Sequence, residues 1–265
     1  QWEQAEDSMY TLCGKDRIHP STDGHLVMAY LFLKAQGLAG KPVADIRIDG
    51  AGKKVTRSDN CRVSDLSVSS DNLTFTYEAK SLPYPIDTSY YDNEKHTQAD
   101  ALSVIPFMDE MNYEGLSVSG LSDGYYGLTI GGEFIGRFTA RELERGINMA
   151  LLQNTPQYKQ AMKIRQMNEE RWLKERKMRE FYWVEYNLMR KTGMLWACNE
   201  AAVDTLRKYR PHDIFLQWNG DLWLQYMHKG IREDCVNEQQ DLVNQIYEQN
   251  KPIPLRIEIK KFTDL

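Results

Sequence analysis

Residues 26–33 read Leu-Val-Met-Ala-Tyr-Leu-Phe-Leu, apolar on nearly every side of a helix. A helix at a protein surface keeps one polar face. One that is apolar all round is expected to pack on a sheet and to be covered on its other side as well. Ser21, Thr22 and Asp23 offer N-caps just before it, and Gly37 offers a C-cap just after. The helix therefore demands a sheet, yet only fifteen residues precede Asp16, too few to build one.

The next stretch, residues 41–138, is rich in β signals. Leu73, Phe75 and Tyr77 alternate with Thr74, Thr76 and Glu78, the period-two pattern of a half-buried strand. Ile46 and Ile48, then Val63, Leu66 and Val68, then Leu116 and Val118 suggest further strands. Tyr126, Leu128 and Ile130 run into Gly131-Gly132 and on to Phe134 and Phe138, which predicts a hairpin whose turn needs positive φ. Residues 83–98, with their Pro, Tyr, Asp and Asn, read as a long irregular crossing.

Residues 139–265 are predominantly helical. Thr139 and Glu142 have capping-box spacing. Thr155-Pro156 opens a helix expected to reach about Thr192, roughly 55 Å at 1.5 Å per residue, with Gly193 ending it. Nine of the thirteen residues 168–180 are charged with mixed signs, the mark of a solvated helix laced by ion pairs. Tyr158, Met162, Phe181, Tyr182, Tyr186 and Met189 supply its apolar stripe. Further helices are expected near 199–209 and 232–249, and Asn219-Gly220-Asp221 reads as a turn. Leu255, Ile257 and Ile259 alternate with charged residues, predicting a final strand that returns to the β region.

Composition narrows the function. A net charge of −5 argues against a general nucleic-acid binder. No segment approaches the ~20 apolar residues of a membrane-spanning helix. Cys13, Cys61, Cys198 and Cys235 are too far apart for a zinc knuckle or redox motif, and a disulfide among them is open. No cofactor motif is present. Asp16, His19, Asp23 and His25 could crowd a metal ion, but they lack a recognised ligand spacing, so no metal site is assigned. Trp218, Trp223 and Tyr226 have helical spacing. They read as core packing, with a sugar-stacking platform as the sharper alternative.

The chemistry concentrates at Asp16-Arg17-Ile18-His19-Pro20. Two side chains three residues apart in a tight loop can meet. The carboxylate then accepts the imidazole Nδ1 proton and fixes the tautomer, leaving Nε2 to take a proton from a nucleophile. A surface ion pair is the plainer reading of the same spacing. Residues 16–29 as a block resemble the last conserved segment of SGNH (GDSL-type) serine hydrolases, where an Asp-x-x-His-Pro loop leads into the final buried helix. Residues 41–265 resemble the accessory region of some bacterial members.

The resemblance implies an α/β fold. Residues 1–40 would be the last loop and helix of a three-layer α/β/α domain. A mixed α+β accessory domain would follow, β-rich over 41–138 and helical over 139–265. It implies that His19 is the general base and Asp16 its orienting acid, in an esterase acting on a small carboxylic ester such as an acetylated carbohydrate. It also implies a periplasmic or secreted setting, an address the sequence itself does not carry. The family's Gly-Asp-Ser nucleophile is not matched: Asp7-Ser8 is the sole Asp-Ser upstream, Glu6 stands where the glycine belongs, and Ser8 is too close to Asp16. The nucleophile and oxyanion donors are therefore expected on an upstream segment or a separate chain. The competing reading is a non-catalytic binding or scaffolding module derived from the family.

Overall fold

The computed structural model describes residues 11–13, 17–89 and 96–262. In chain order the helices and strands are α1 (Thr22–Ala35), β1 (Ala44–Asp49), β2 (Lys54–Asp59), β3 (Cys61–Val68), β4 (Asn72–Ala79), α2 (Phe107–Glu110), β5 (Glu114–Ser119), β6 (Tyr125–Ile130), β7 (Glu133–Thr139), α3 (Ala140–Arg145), β8 (Ile147–Asn148), α4 (Pro156–Val184), α5 (Glu200–Tyr209), α6 (Ile214–Tyr226), α7 (Lys229–Gln249) and β9 (Leu255–Lys261). The chain forms two compact units, residues 1–162 with 251–265, and residues 163–250.

The first unit holds two sheets. One has strand order β2-β1-β5-β8, with β1 and β5 parallel. The other, β3-β4-β9-β6-β7, is antiparallel throughout. Ile46, Ile48, Leu116 and Val118 from the first sheet share one core with Leu73, Phe75, Tyr77, Leu128, Ile130, Ile257 and Ile259 from the second. The alternation in β4 and β9 is what allows this: every second side chain faces the core, and Leu73, Phe75 and Tyr77 stand opposite Ile259, Ile257 and Leu255. At the β6–β7 hairpin the two glycines have φ of 59° and 85°, the left-handed geometry that a two-residue turn matched to strand twist requires. Thr139 and Glu142 then cap α3 reciprocally.

These features draw residues 139–162 into the sheet-bearing unit. Leu143 and Met149 are buried in the shared core, and α3 packs on β5. The units divide within α4, at 162/163, and at 250/251.

Helix α1 departs from the covered helix expected. Leu26, Val27 and Tyr30 are buried against Ile86, Ala101, Ile105, Phe107 and Met108, a short helical segment rather than the face of a sheet. Tyr30 donates a 2.8 Å hydrogen bond to Glu110 at the end of α2. On the opposite side Met28, Leu31 and Phe32 are 57%, 56% and 65% exposed. Their spacing of three and four residues makes one apolar stripe along the helix.

The second unit is helical. Its core gathers Phe181, Val184, Leu188 and Met189 with Ala202, Leu206, Leu216, Trp223 and Cys235. The charged part of α4 carries i,i+4 ion pairs, among them Arg176–Glu180 and Arg179–Glu175. Each such pair contributes only ~0.3–0.5 kcal/mol, so the buried residues near its end anchor the helix. Asn219-Gly220-Asp221 lies inside α6 and is not a turn. Gly220 leaves room for the Arg210 guanidinium, which sits against it and pairs with Asp221 at 2.6 and 2.7 Å. No helix among the described residues is long and apolar enough to cross a membrane.

Candidate active-site loop

The loop bearing His19 is clamped at its base. Cys13 and Pro20 form an antiparallel bridge. The Ser21 N–H and hydroxyl both reach the Leu12 carbonyl, at 3.0 and 3.1 Å. Gly24, in the first turn of α1, explains the close approach. A Cβ there would lie 2.0 Å from the Leu12 oxygen, so only glycine lets the returning chain rest on the helix. Arg17 takes a left-handed φ of 57°, which turns the chain before His19.

His19 is exposed on this loop, and so is Ile18 beside it. Asp16, the residue expected to orient His19, lies outside the described residues, as do Asp7 and Ser8. An exposed imidazole on a clamped loop can exchange protons with a group brought against it.

Asp23 has a role the sequence did not reveal. Read from sequence as an N-cap candidate and a possible metal ligand, it is fully buried. Its Oδ1 accepts the Gly24 N–H at 2.8 Å and contacts the Ser21 hydroxyl. Its Oδ2 faces His96 Nδ1 at 4.0 Å and has no hydrogen-bond partner among the described residues. The carboxylate sits in the first turn of α1, where the helix N-terminus favours negative charge. Asp23 thus fastens the loop from inside, while His25, two residues on, is exposed. No local pattern could have paired Asp23 with His96, because the two are brought together by the packing of α1 on residues 98–108. Among the described residues no group of three or more His, Cys, Asp or Glu converges as a metal-binding set.

Ser122 is engaged by the Tyr126 hydroxyl at 3.1 Å and the Lys261 ammonium at 2.8 Å, a structural arrangement. His212 and His228 are exposed. Cys13, Cys61, Cys198 and Cys235 are all free thiols, and His228 Nδ1 lies 3.4 Å from the Cys198 sulfur. The expected aromatic group separates: Trp223 and Tyr226 are buried in the helical core, and Trp218 is largely exposed.

Comparison with known proteins adds to this geometry. Residues 162–251 match the family model described as the diltiazem deacetylase C-terminal helical domain, nearly the same span as the helical unit. Among solved structures, one described as a gut microbial diltiazem-metabolizing enzyme is similar at 41% sequence identity with a TM-score of 0.92. The match covers 99% of this chain and 59% of that one, so this chain spans about three fifths of the length of its relative. No curated protein matches.

Proposed function

We propose that this chain is part of a serine ester hydrolase of the SGNH/GDSL type that removes a small acyl group from a carboxylic ester. The observation that carries the reading is the match along 99% of the chain to a diltiazem-metabolizing enzyme. A helical unit similar to a domain named for a deacetylase supports it, and points to an acetyl ester, of a drug-like alcohol or of a carbohydrate.

In this reading the nucleophilic serine and the oxyanion donors lie on an upstream segment or a second chain, which packs on the exposed stripe of Met28, Leu31 and Phe32. Covering that stripe would give α1 the sheet its sequence calls for. His19 Nε2 takes the proton of the serine hydroxyl as it attacks the acyl carbon. It then returns that proton to the departing alcohol. Water enters, gives a proton to His19 as it attacks the acyl-enzyme, and His19 returns that proton to the serine oxygen as the acid leaves, restoring the free hydroxyl and the neutral imidazole. Asp16 accepts the Nδ1 proton of His19 in a hydrogen bond and supports the imidazolium.

The test is hydrolysis of p-nitrophenyl acetate and diltiazem by the native protein, purified with any polypeptide that accompanies it. His19→Ala should lower kcat by about 10³-fold or more, with KM little changed. Full activity in His19→Ala, or no turnover by the native assembly, rejects the assignment.

A further inference from the structure

The helical unit carries an aromatic cluster at its surface that core packing does not require. Tyr182 and Tyr186 lie one turn apart where α4 passes into the π-helical turn Glu185–Met189, and Trp196 stands beside them after the left-handed turn at Gly193. The Trp196 ring centroid is 5.9 Å from each tyrosine ring, with an interplanar angle of 87° in both cases. Tyr182, Tyr186 and Trp196 are 39%, 44% and 46% exposed, while Phe181 behind them is buried.

The arrangement is held at a cost. Trp196 has a φ of 63°, a left-handed conformation that costs a non-glycine residue of order ~1–3 kcal/mol. The buried carboxylate of Glu185 keeps it there: Oε2 accepts the Trp196 N–H at 2.8 Å, and Oε1 accepts the Trp223 indole N–H at 2.8 Å. Hydrophobic burial does not explain rings that keep so much of their surface in water. A strained backbone, a buried acid and a π-helical turn together fix one indole edge-to-face against two phenols that stand 6.5 Å apart. Such turns and strained residues concentrate at binding sites, because a ring already immobilised loses little entropy when a ligand arrives.

We infer that Tyr182, Tyr186 and Trp196 form a saccharide-binding platform that takes a pyranose ring. A pyranose has an apolar C–H face and polar edges. Its C–H face stacks on one ring of the perpendicular set, and its hydroxyls reach the tyrosine hydroxyls, the indole N–H and the Arg190 guanidinium, which lies 5.6 Å from the Tyr186 ring. A flat aryl group stacks on the same faces but brings no hydroxyls for the Arg190 guanidinium and the phenols, which a pyranose supplies. The inference stands on the helical unit alone and needs no turnover, so it fails or holds independently of the hydrolase reading.

Affinity electrophoresis of the full chain in native gels containing arabinoxylan, galactomannan, mixed-linkage β-glucan or pectin tests it. At least one polysaccharide should retard the protein. Trp196→Gly removes the ring while suiting the left-handed backbone, so it should keep the fold yet weaken binding about tenfold or more. Tyr186→Ala should weaken binding too, and Trp196→Phe should retain most of it. Trp218→Ala, an exposed indole on α6 outside the cluster, should bind as the parent does. No retardation in any gel, retardation unchanged in Trp196→Gly, or equal loss in Trp218→Ala overturns the inference.

Discussion

Glu114 gives the sharpest test of the sheet-bearing unit. It opens β5, is wholly buried, and makes 2.7 and 3.2 Å hydrogen bonds through Oε1 with the Tyr77 hydroxyl and the Gln157 amide. Its Oε2 and the Gln157 Oε1 have no hydrogen-bond partner among the described residues. Burial pushes the Glu114 carboxyl from 4.5 up to about 7, against the opposing pull of those two hydrogen bonds. Burial also raises the Tyr77 phenol, with the adjacent Glu114 adding to the effect, so Tyr77 remains a donor. Between pH 4.5 and 7 the folded chain therefore holds a proton that the unfolded chain has released. The stability this provides is complete below 4.5 and is lost as pH rises through 7. At ~1.36 kcal/mol per pH unit the full loss is about 3 kcal/mol.

Glu114→Gln replaces the carboxyl with a neutral group of the same shape and supplies a donor where two acceptors lack one. It should match the parent at pH 5 and exceed it by about 2–3 kcal/mol at pH 8. Urea unfolding of both proteins at pH 5, 6, 7 and 8, followed by near-ultraviolet circular dichroism, measures the difference while other titrations cancel. A stability difference that stays constant across that range would refute the reasoning.

Two further changes probe the loop and the helical unit. Gly24→Ala sets a methyl 2.0 Å from the Leu12 oxygen and should free residues 11–13 and 17–20 from α1. Their amide exchange should quicken about tenfold while the strands keep their protection. Unchanged exchange would mean the clamp lies elsewhere. Glu185→Ala strips the acceptor from the Trp196 N–H and the Trp223 indole N–H. At ~1–3 kcal/mol for each orphaned donor, the urea midpoint of residues 163–250 should fall clearly, with a shift in tryptophan fluorescence. A midpoint within error of the parent would show that water replaces the carboxylate.

Much of the secondary structure was legible in the sequence, because its causes are local. The alternation of Leu73, Phe75 and Tyr77, the Gly131-Gly132 turn and the Thr139–Glu142 capping box each depend on residues within a few positions of one another. The final strand was legible for the same reason, in Leu255, Ile257 and Ile259. Its place between β4 and β6 was not, since strand order depends on partners far away in the chain. Asn219-Gly220-Asp221 was misread as a turn because the reason for its glycine, the Arg210 guanidinium, arrives from the preceding segment.

The loop that opened the sequence divides in the same way. Its sequence alone singled out His19, with Asp16, as candidate chemistry, and marked α1 as a helix that needs apolar cover. Tertiary structure decided how the loop is held: the Leu12 carbonyl lies against Gly24, and Asp23 is buried facing His96. It also decided that one side of α1 packs on residues 98–108 while Met28, Leu31 and Phe32 face outward. Periodicity records that a face is apolar. What covers that face is settled by segments distant in sequence, whose approach no local pattern encodes.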